Sequence, residues 1–262
     1  MGYGYAIGKL GRLNRISKNG KYLLLAMDQG IEHGPKDFND KNIDPDWVIQ
    51  WAVKGNFTGM ILQKGVALKY WENYSGKVPL ILKLNGKTDI LPREEAYSAP
   101  VASVKDAVAL GADAIGYTIY VGSQYEAQMF HDFSVIEAEA RDYGIPTIVW
   151  AYPRGTMPKE EEKTLKYVGY AARVALELGA DVVKVNYTGS KETFKEVVKY
   201  AQKTHVISAG GSTKSDEEFF AMAKDIMDSG ARGFAIGRNV WQREDPMPFI
   251  KKLRKIVWPE ED

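Results

Sequence analysis

A chain of 262 residues, 45% of them hydrophobic, can bury one large core, and its 35 basic and 34 acidic residues leave a net charge of +1. That balance excludes the electrostatic footprint of a nucleic-acid binder or of a protein held on an anionic membrane, while a local cluster could still bind a small anion. The absence of cysteine excludes disulfide scaffolds, iron–sulfur clusters and thiol nucleophiles.

The first residues, Met1-Gly2-Tyr3-Gly4-Tyr5, carry no charged segment followed by an apolar one, so no signal peptide is expected. No apolar run reaches the roughly 18 residues of a membrane span. We expect a soluble, cytoplasmic protein with neither nucleic-acid nor membrane partners.

In chain order, short apolar runs at 22–27, 59–63, 79–84, 114–119, 147–151, 181–186, 205–209 and 233–236 predict eight strands. Most are rich in Val, Ile and Leu on both faces, the pattern of parallel strands covered on each side. Between them, helical periodicity fits 46–54, 103–110, 123–143, 163–178, 191–202 and 216–229, with a closing helix at 246–257. Three helices end on the same signal: Leu110-Gly111-Ala112, Leu178-Gly179-Ala180 and Ser229-Gly230-Ala231. Glycine there accepts the left-handed conformation of a helix-to-strand turn. The repetition predicts a single (β/α)8 TIM barrel, one catalytic domain spanning 1–262, with an acidic tail at Glu260-Glu261-Asp262. The rival fold is an open doubly wound sheet, but no G-x-G-x-x-G follows the first strand.

In such a barrel the active site lies at the C-terminal ends of the strands. Side chains two apart on a strand share a face, so Ala26 with Asp28, Trp150 with Tyr152, and Val182 with Lys184 and Asn186 form three same-face sets. If these faces point inward, Asp28, Tyr152 and Lys184 converge near the mouth. Lys184 lies inside the apolar run Val182-Val183-Lys184-Val185. Burial would lower its pKa and expose an amine able to attack a carbonyl. The pattern also allows a lysine that snorkels to the strand end or pairs with a buried carboxylate. Tyr152 fits a general acid/base or a mouth aromatic with a satisfied hydroxyl, and Asp28 fits a catalytic carboxylate or a helix cap.

Gly210-Gly211-Ser212 and Gly237-Arg238-Asn239 follow the seventh and eighth strands, where barrels often build a phosphate site. Glycine admits an anion close to the backbone and Arg238 would complete the charge; the alternative is two ordinary turns. Lys83, Lys87, Arg154 and His33 are candidates for a second phosphate or for sugar hydroxyls. No metal or other cofactor is expected, because His33, His131 and His205 are widely separated and lack ligand spacing. Without a metal, bond cleavage beside a carbonyl needs another electron sink, and an amine-derived iminium is the natural candidate.

The stretches Met27-Asp28-Gln29-Gly30-Ile31-Glu32-His33-Gly34-Pro35, Leu82-Lys83-Leu84-Asn85-Gly86-Lys87-Thr88, Trp150-Ala151-Tyr152-Pro153-Arg154-Gly155, Lys184-Val185-Asn186-Tyr187-Thr188-Gly189 and Ile236-Gly237-Arg238-Asn239 resemble the archaeal-type class I fructose-bisphosphate aldolases in the same order. The resemblance implies reversible cleavage of fructose 1,6-bisphosphate in glycolysis and gluconeogenesis, with Lys184 forming the Schiff base. It further implies Tyr152 as general acid/base and Asp28 as a residue handling the substrate. Gly210, Gly211, Gly237 and Arg238 would bind one phosphate, and Gln29, His33, Asp37, Arg154 and Asn186 would add substrate contacts. Large ring-shaped homo-oligomers are implied as well. Asn186 is also similar to a sister group, transaldolase-like archaeal synthases of a seven-carbon amino sugar that use the same lysine. A non-catalytic sugar-phosphate-binding barrel is the third reading.

Overall fold

The computed structural model describes residues 3–90 and 92–260, so Met1 and Gly2 of the first segment and Glu261 and Asp262 of the acidic tail lie outside the described residues. Eight parallel strands close into a barrel in chain order. They are β1 (Tyr22–Met27), β2 (Gly59–Gln63), β3 (Leu80–Lys83), β4 (Ala114–Val121), β5 (Thr147–Pro153), β6 (Val182–Val185), β7 (His205–Ala209) and β8 (Gly233–Ile236). Pairing of Tyr22–Leu25 with Gly233–Ile236 closes the ring and rules out the open sheet.

Strand periodicity divides the core in two. Tyr22, Leu24, Ala26, Ile61, Ile81, Ala114, Ile148, Trp150, Val182, Ile207 and Ala235 pack inside the barrel. Their neighbours, such as Leu23, Leu25, Val149, Val183 and Phe234, face the surrounding helices. The three same-face sets therefore point inward, as the parity argument expects. Gly111, Gly179 and Gly230 hold φ of 67°, 86° and 91°, so the three helix-to-strand turns use the left-handed conformation expected of them.

β4 and β5 run further than their apolar stretches, pairing as far as Val121 with Pro153. Past the apolar run, their ends are zipped by the Arg154 N–H donating to the Val121 carbonyl. A helix at Tyr3–Arg15, absent from the periodicity reading, covers the N-terminal end of the barrel. Its glycines give weak helix propensity. Docking compensates: Ile16 is buried just beyond the helix, Arg15 pairs with Asp113 at 2.6 Å and Lys9 with Asp181 at 3.1 Å. The short helices Gln29–His33, Lys64–Lys69 and Trp71–Tyr74 also escape the sequence reading, being too short for a periodic signal. No helix among the described residues is long and apolar enough to cross a membrane.

Candidate active site

A cavity of about 170 Å³ opens at the C-terminal mouth of the barrel. Eleven of the twelve site residues named from the sequence line it: Asp28, Gln29 and His33 after β1, Tyr152 on β5 with Arg154 just past it, Lys184 on β6 with Asn186 just past it, Gly210 and Gly211 after β7, and Gly237 and Arg238 after β8.

Lys184 is only 6% exposed and sits in register between Trp150 and Ile207 of the flanking strands. Its Nζ lies 5.1 Å from the centre of the Trp150 indole. Burial pushes the amine below the ordinary lysine range; Lys83 and Arg238 push the same way, while Asp28 and Glu32 oppose. The side chain does not snorkel out. Trp150 fits inside the barrel because β4 carries Gly116 beside it: a Cβ there would stand 2.4 Å from the indole.

The Tyr152 phenol is driven well above its usual range, first by burial and then by Asp28 and Glu32, with Arg154 and Arg238 partly offsetting them. It therefore holds its proton at neutral pH. Asp28 is 7% exposed and occupies the N-cap position of Gln29–His33, yet its side chain makes no capping hydrogen bond and lines the cavity instead. Two further groups at the mouth, Gln29 Nε2 and Trp150 Nε1, are buried donors without a hydrogen-bond partner. Native proteins rarely leave such donors unpaired.

On the opposite wall the two glycine loops are stitched together. Buried Asn239 donates to the carbonyls of Gly210 (2.9 Å) and Ser212 (3.1 Å) and accepts from the Lys214 N–H at 3.1 Å. Gly211 has φ 68°, and a Cβ on Gly237 would stand 2.7 Å from the Ala26 carbonyl oxygen. Only glycine fits at Gly237, and it leaves bare backbone facing the cavity. Arg238 reaches the Gly211 carbonyl at 3.3 Å and Asp37 at 3.5 Å.

Of those twelve residues, Asp37 alone does not line the cavity. It stands behind the wall, with its Oδ2 2.7 Å from His33 Nδ1, so it orients His33 and Arg238. Two of the looser candidates for a second phosphate also lie off the cavity lining. Lys83 points into the barrel interior, fully buried, and donates to Asn85. Lys87 donates to the Thr88 carbonyl and packs over Tyr120, away from the cavity lining. Arg154 lines the cavity and is anchored by buried Glu162 at 3.1 Å. His205 meets Tyr22 at the barrel floor and His131 is exposed on a helix. Among the described residues no three His, Asp or Glu side chains gather as metal donors.

The sequence reading missed Glu32, whose carboxylate lines the cavity and accepts from the Tyr120 hydroxyl at 3.1 Å. It also read Trp150 only as a marker of strand parity. The one sequence signal for either was adjacency to Asp28 and Tyr152.

The model of the DeoC/LacD family of aldolases matches residues 22–243. The class 1 fructose-bisphosphate aldolase of Thermoproteus tenax is 45% identical over 249 residues, 94% of this chain and 93% of that protein. A Methanocaldococcus jannaschii protein named fructose-bisphosphate aldolase/6-deoxy-5-ketofructose 1-phosphate synthase is 39% identical, covering 88% of this chain and 79% of its own length. Among solved structures, a Schiff-base-forming fructose-1,6-bisphosphate aldolase superposes with a TM-score of 0.90 at 43% identity, over 95% of this chain and 100% of the other. An archaeal fructose-1,6-bisphosphate aldolase with its catalytic lysine bound to the carbinolamine intermediate gives a TM-score of 0.89 at 43% identity, over 95% of this chain and 99% of the other.

Proposed function

The chain belongs to the DeoC/LacD family of aldolases, and on that premise we propose that it is a Schiff-base fructose-1,6-bisphosphate aldolase. It would reversibly split that sugar into dihydroxyacetone phosphate and glyceraldehyde 3-phosphate. One observation carries the reading: a buried amine with a depressed pKa, Lys184, shares a cavity with Tyr152, Asp28 and two glycine loops.

Lys184 Nζ attacks the ketone carbon, and loss of water from the carbinolamine gives an iminium. Tyr152, protonated at rest, donates to the departing hydroxyl and then takes the proton of the C4 hydroxyl as the C3–C4 bond breaks. The bonding electrons move onto the iminium nitrogen, giving a neutral enamine, and glyceraldehyde 3-phosphate departs. Protonation at C3 and hydrolysis release dihydroxyacetone phosphate. The glycine loops with Arg238 take one phosphate. His33, Arg154, Asn186 and the unpaired donors of Gln29 and Trp150 address the remaining sugar oxygens. Asp28, beside the amine, steadies the cationic intermediates, and the iminium acts as electron sink in place of a metal.

Borohydride with dihydroxyacetone phosphate should trap one adduct per chain, on Lys184; mass spectrometry locating it on Lys83, Lys87 or Lys191 overturns the assignment. Triose-phosphate release from fructose 1,6-bisphosphate, with and without EDTA, tests the substrate. Failure to cleave it, with activity on another ketose phosphate, would favour the seven-carbon amino sugar synthase instead. We further read the chain as one catalytic domain, a cytoplasmic enzyme of glycolysis and gluconeogenesis that assembles into a large homo-oligomeric ring. Exposed apolar side chains such as Ile7, Leu10 and Trp71 support self-association, which sedimentation would check.

A further inference from the structure

We infer that Lys83 is a positioning residue for the Schiff-base lysine, acting across the indole of Trp150; the inference rests on the aldolase reading above. Lys83 ends β3 on its inward face and is 0% exposed. Its Nζ donates to the Asn85 carbonyl at 2.9 Å and to Asn85 Oδ1 at 3.0 Å, and stands 3.6 Å from Glu32 Oε1. Asn85 is itself pinned, donating to the carbonyls of Ser98 and Thr118 and accepting from the Thr118 N–H. Every polar neighbour of the Lys83 amine is an acceptor, and the side chain is absent from the cavity lining. A buried ion pair is weak ground for stability, since apolar replacements are often neutral or better. The mechanism, as far as it uses cavity groups, gives Lys83 nothing to do.

The geometry supplies a use. A Cβ at Gly116 would stand 2.4 Å from Trp150 and 3.3 Å from Lys83 Cδ, so the glycine of β4 lets the β5 indole reach across to β3. The same ring then lies 5.5 Å from Lys83 Nζ and 5.1 Å from Lys184 Nζ. Two lysines flank one indole, and only one of them meets the cavity. A like charge at this range disfavours ammonium on Lys184 and so favours its neutral forms, the attacking amine and the enamine left after cleavage. The other groups facing Lys184 are Asp28 and Glu32 after β1, Tyr152 of β5, Arg154 just past it, and Arg238 after β8. Asp28 and Glu32 oppose Lys83, and Lys83 holds one of the two, Glu32, between itself and Tyr120.

The test is the pH profile of kcat/KM for fructose 1,6-bisphosphate, with the rate of borohydride trapping by dihydroxyacetone phosphate alongside. In Lys83→Met the acidic limb should move to higher pH by about one unit, a loss on the order of tenfold below the wild-type limb that recovers at alkaline pH. Lys83→Arg, which keeps the charge, should hold the limb in place. Glu32→Gln should move it to lower pH. An unshifted limb in Lys83→Met, whatever the fall in kcat, overturns the inference. If that variant fails to fold, a Glu32→Gln limb that stays put or moves up does the same. Wild type that yields no adduct on Lys184 sinks the aldolase reading itself, whereas trapping at Lys184 with unmoved limbs sinks only the role of Lys83.

Discussion

At the floor of the barrel the Tyr22 hydroxyl and His205 Nδ1 meet at 2.7 Å beneath Leu13 and Ile16, whereas at the mouth Gln29 Nε2 and Trp150 Nε1 are buried with no partner at all. Both ends also hold side chains with shifted pKa values. Burial takes His205 down to about 4 and the Lys184 amine below its usual range. At the floor the neutral imidazole is consumed by its tyrosine, and the polar atoms there answer one another. At the mouth the Lys184 amine, its pKa lowered, faces open space among groups of both signs. The same physical device, desolvation, serves packing at one end and, in the proposed mechanism, reactivity at the other.

The comparison breaks most sharply at Lys184. Lys184→Met should remove borohydride trapping and lower cleavage by roughly 10⁶-fold, the scale of nucleophile removal in other covalent enzymes. Its thermal midpoint should stay at or above wild type, because an apolar side chain replaces a buried amine. A large stability loss would make the lysine structural. Tyr152→Phe should lower kcat by about 10²–10⁴-fold while the protein stays folded, the usual contribution of a positioned proton donor. Arg238→Ala should raise KM for the bisphosphate about ten- to a hundredfold, from loss of a charge-assisted contact. Inorganic phosphate should then cease to inhibit; unchanged inhibition places the anion elsewhere.

The floor sharpens the contrast with the smallest effect on turnover. Tyr22→Phe should leave kcat and KM unaltered but destabilise the fold by about 1–3 kcal/mol, because His205 loses its buried partner. The wild-type floor should also respond to acid. The imidazole binds its proton more weakly folded (about 4) than unfolded (6.5), so its stabilising effect is complete above pH 6.5 and is lost as pH falls towards 4. Thermal melts across that window check the sign: a midpoint that rises on acidification would contradict it.

Much of the mouth was legible because barrel strands obey a period of two. Parity grouped Asp28, Tyr152 and Lys184 with faces that the barrel turns inward, and glycine at the ends of β7 and β8 marked the loops of the same mouth. Off the strands parity gives no guidance. Glu32 belongs to a five-residue helix and went unnoticed, and Asp37, named as a substrate contact, sits in the turn after it, where no alternation says which way a side chain points. Lys83 read as a loose phosphate candidate because charge at a strand end suggests solvent, and only packing shows it turned inward. Gly116 was silent for a different reason: its role is the room it leaves for a tryptophan on the next strand.

Asn239 has a consequence for how this mouth can change. One amide fastens the turn after β7 to the turn after β8, so both lips of the proposed anion cradle form a single mechanical part. Lengthening either turn to admit a bulkier substrate would drag the other along. Remodelling is freer around Arg154, which hangs from Glu162, than around His33, which shares Asp37 with Arg238 and so stays tied to that part.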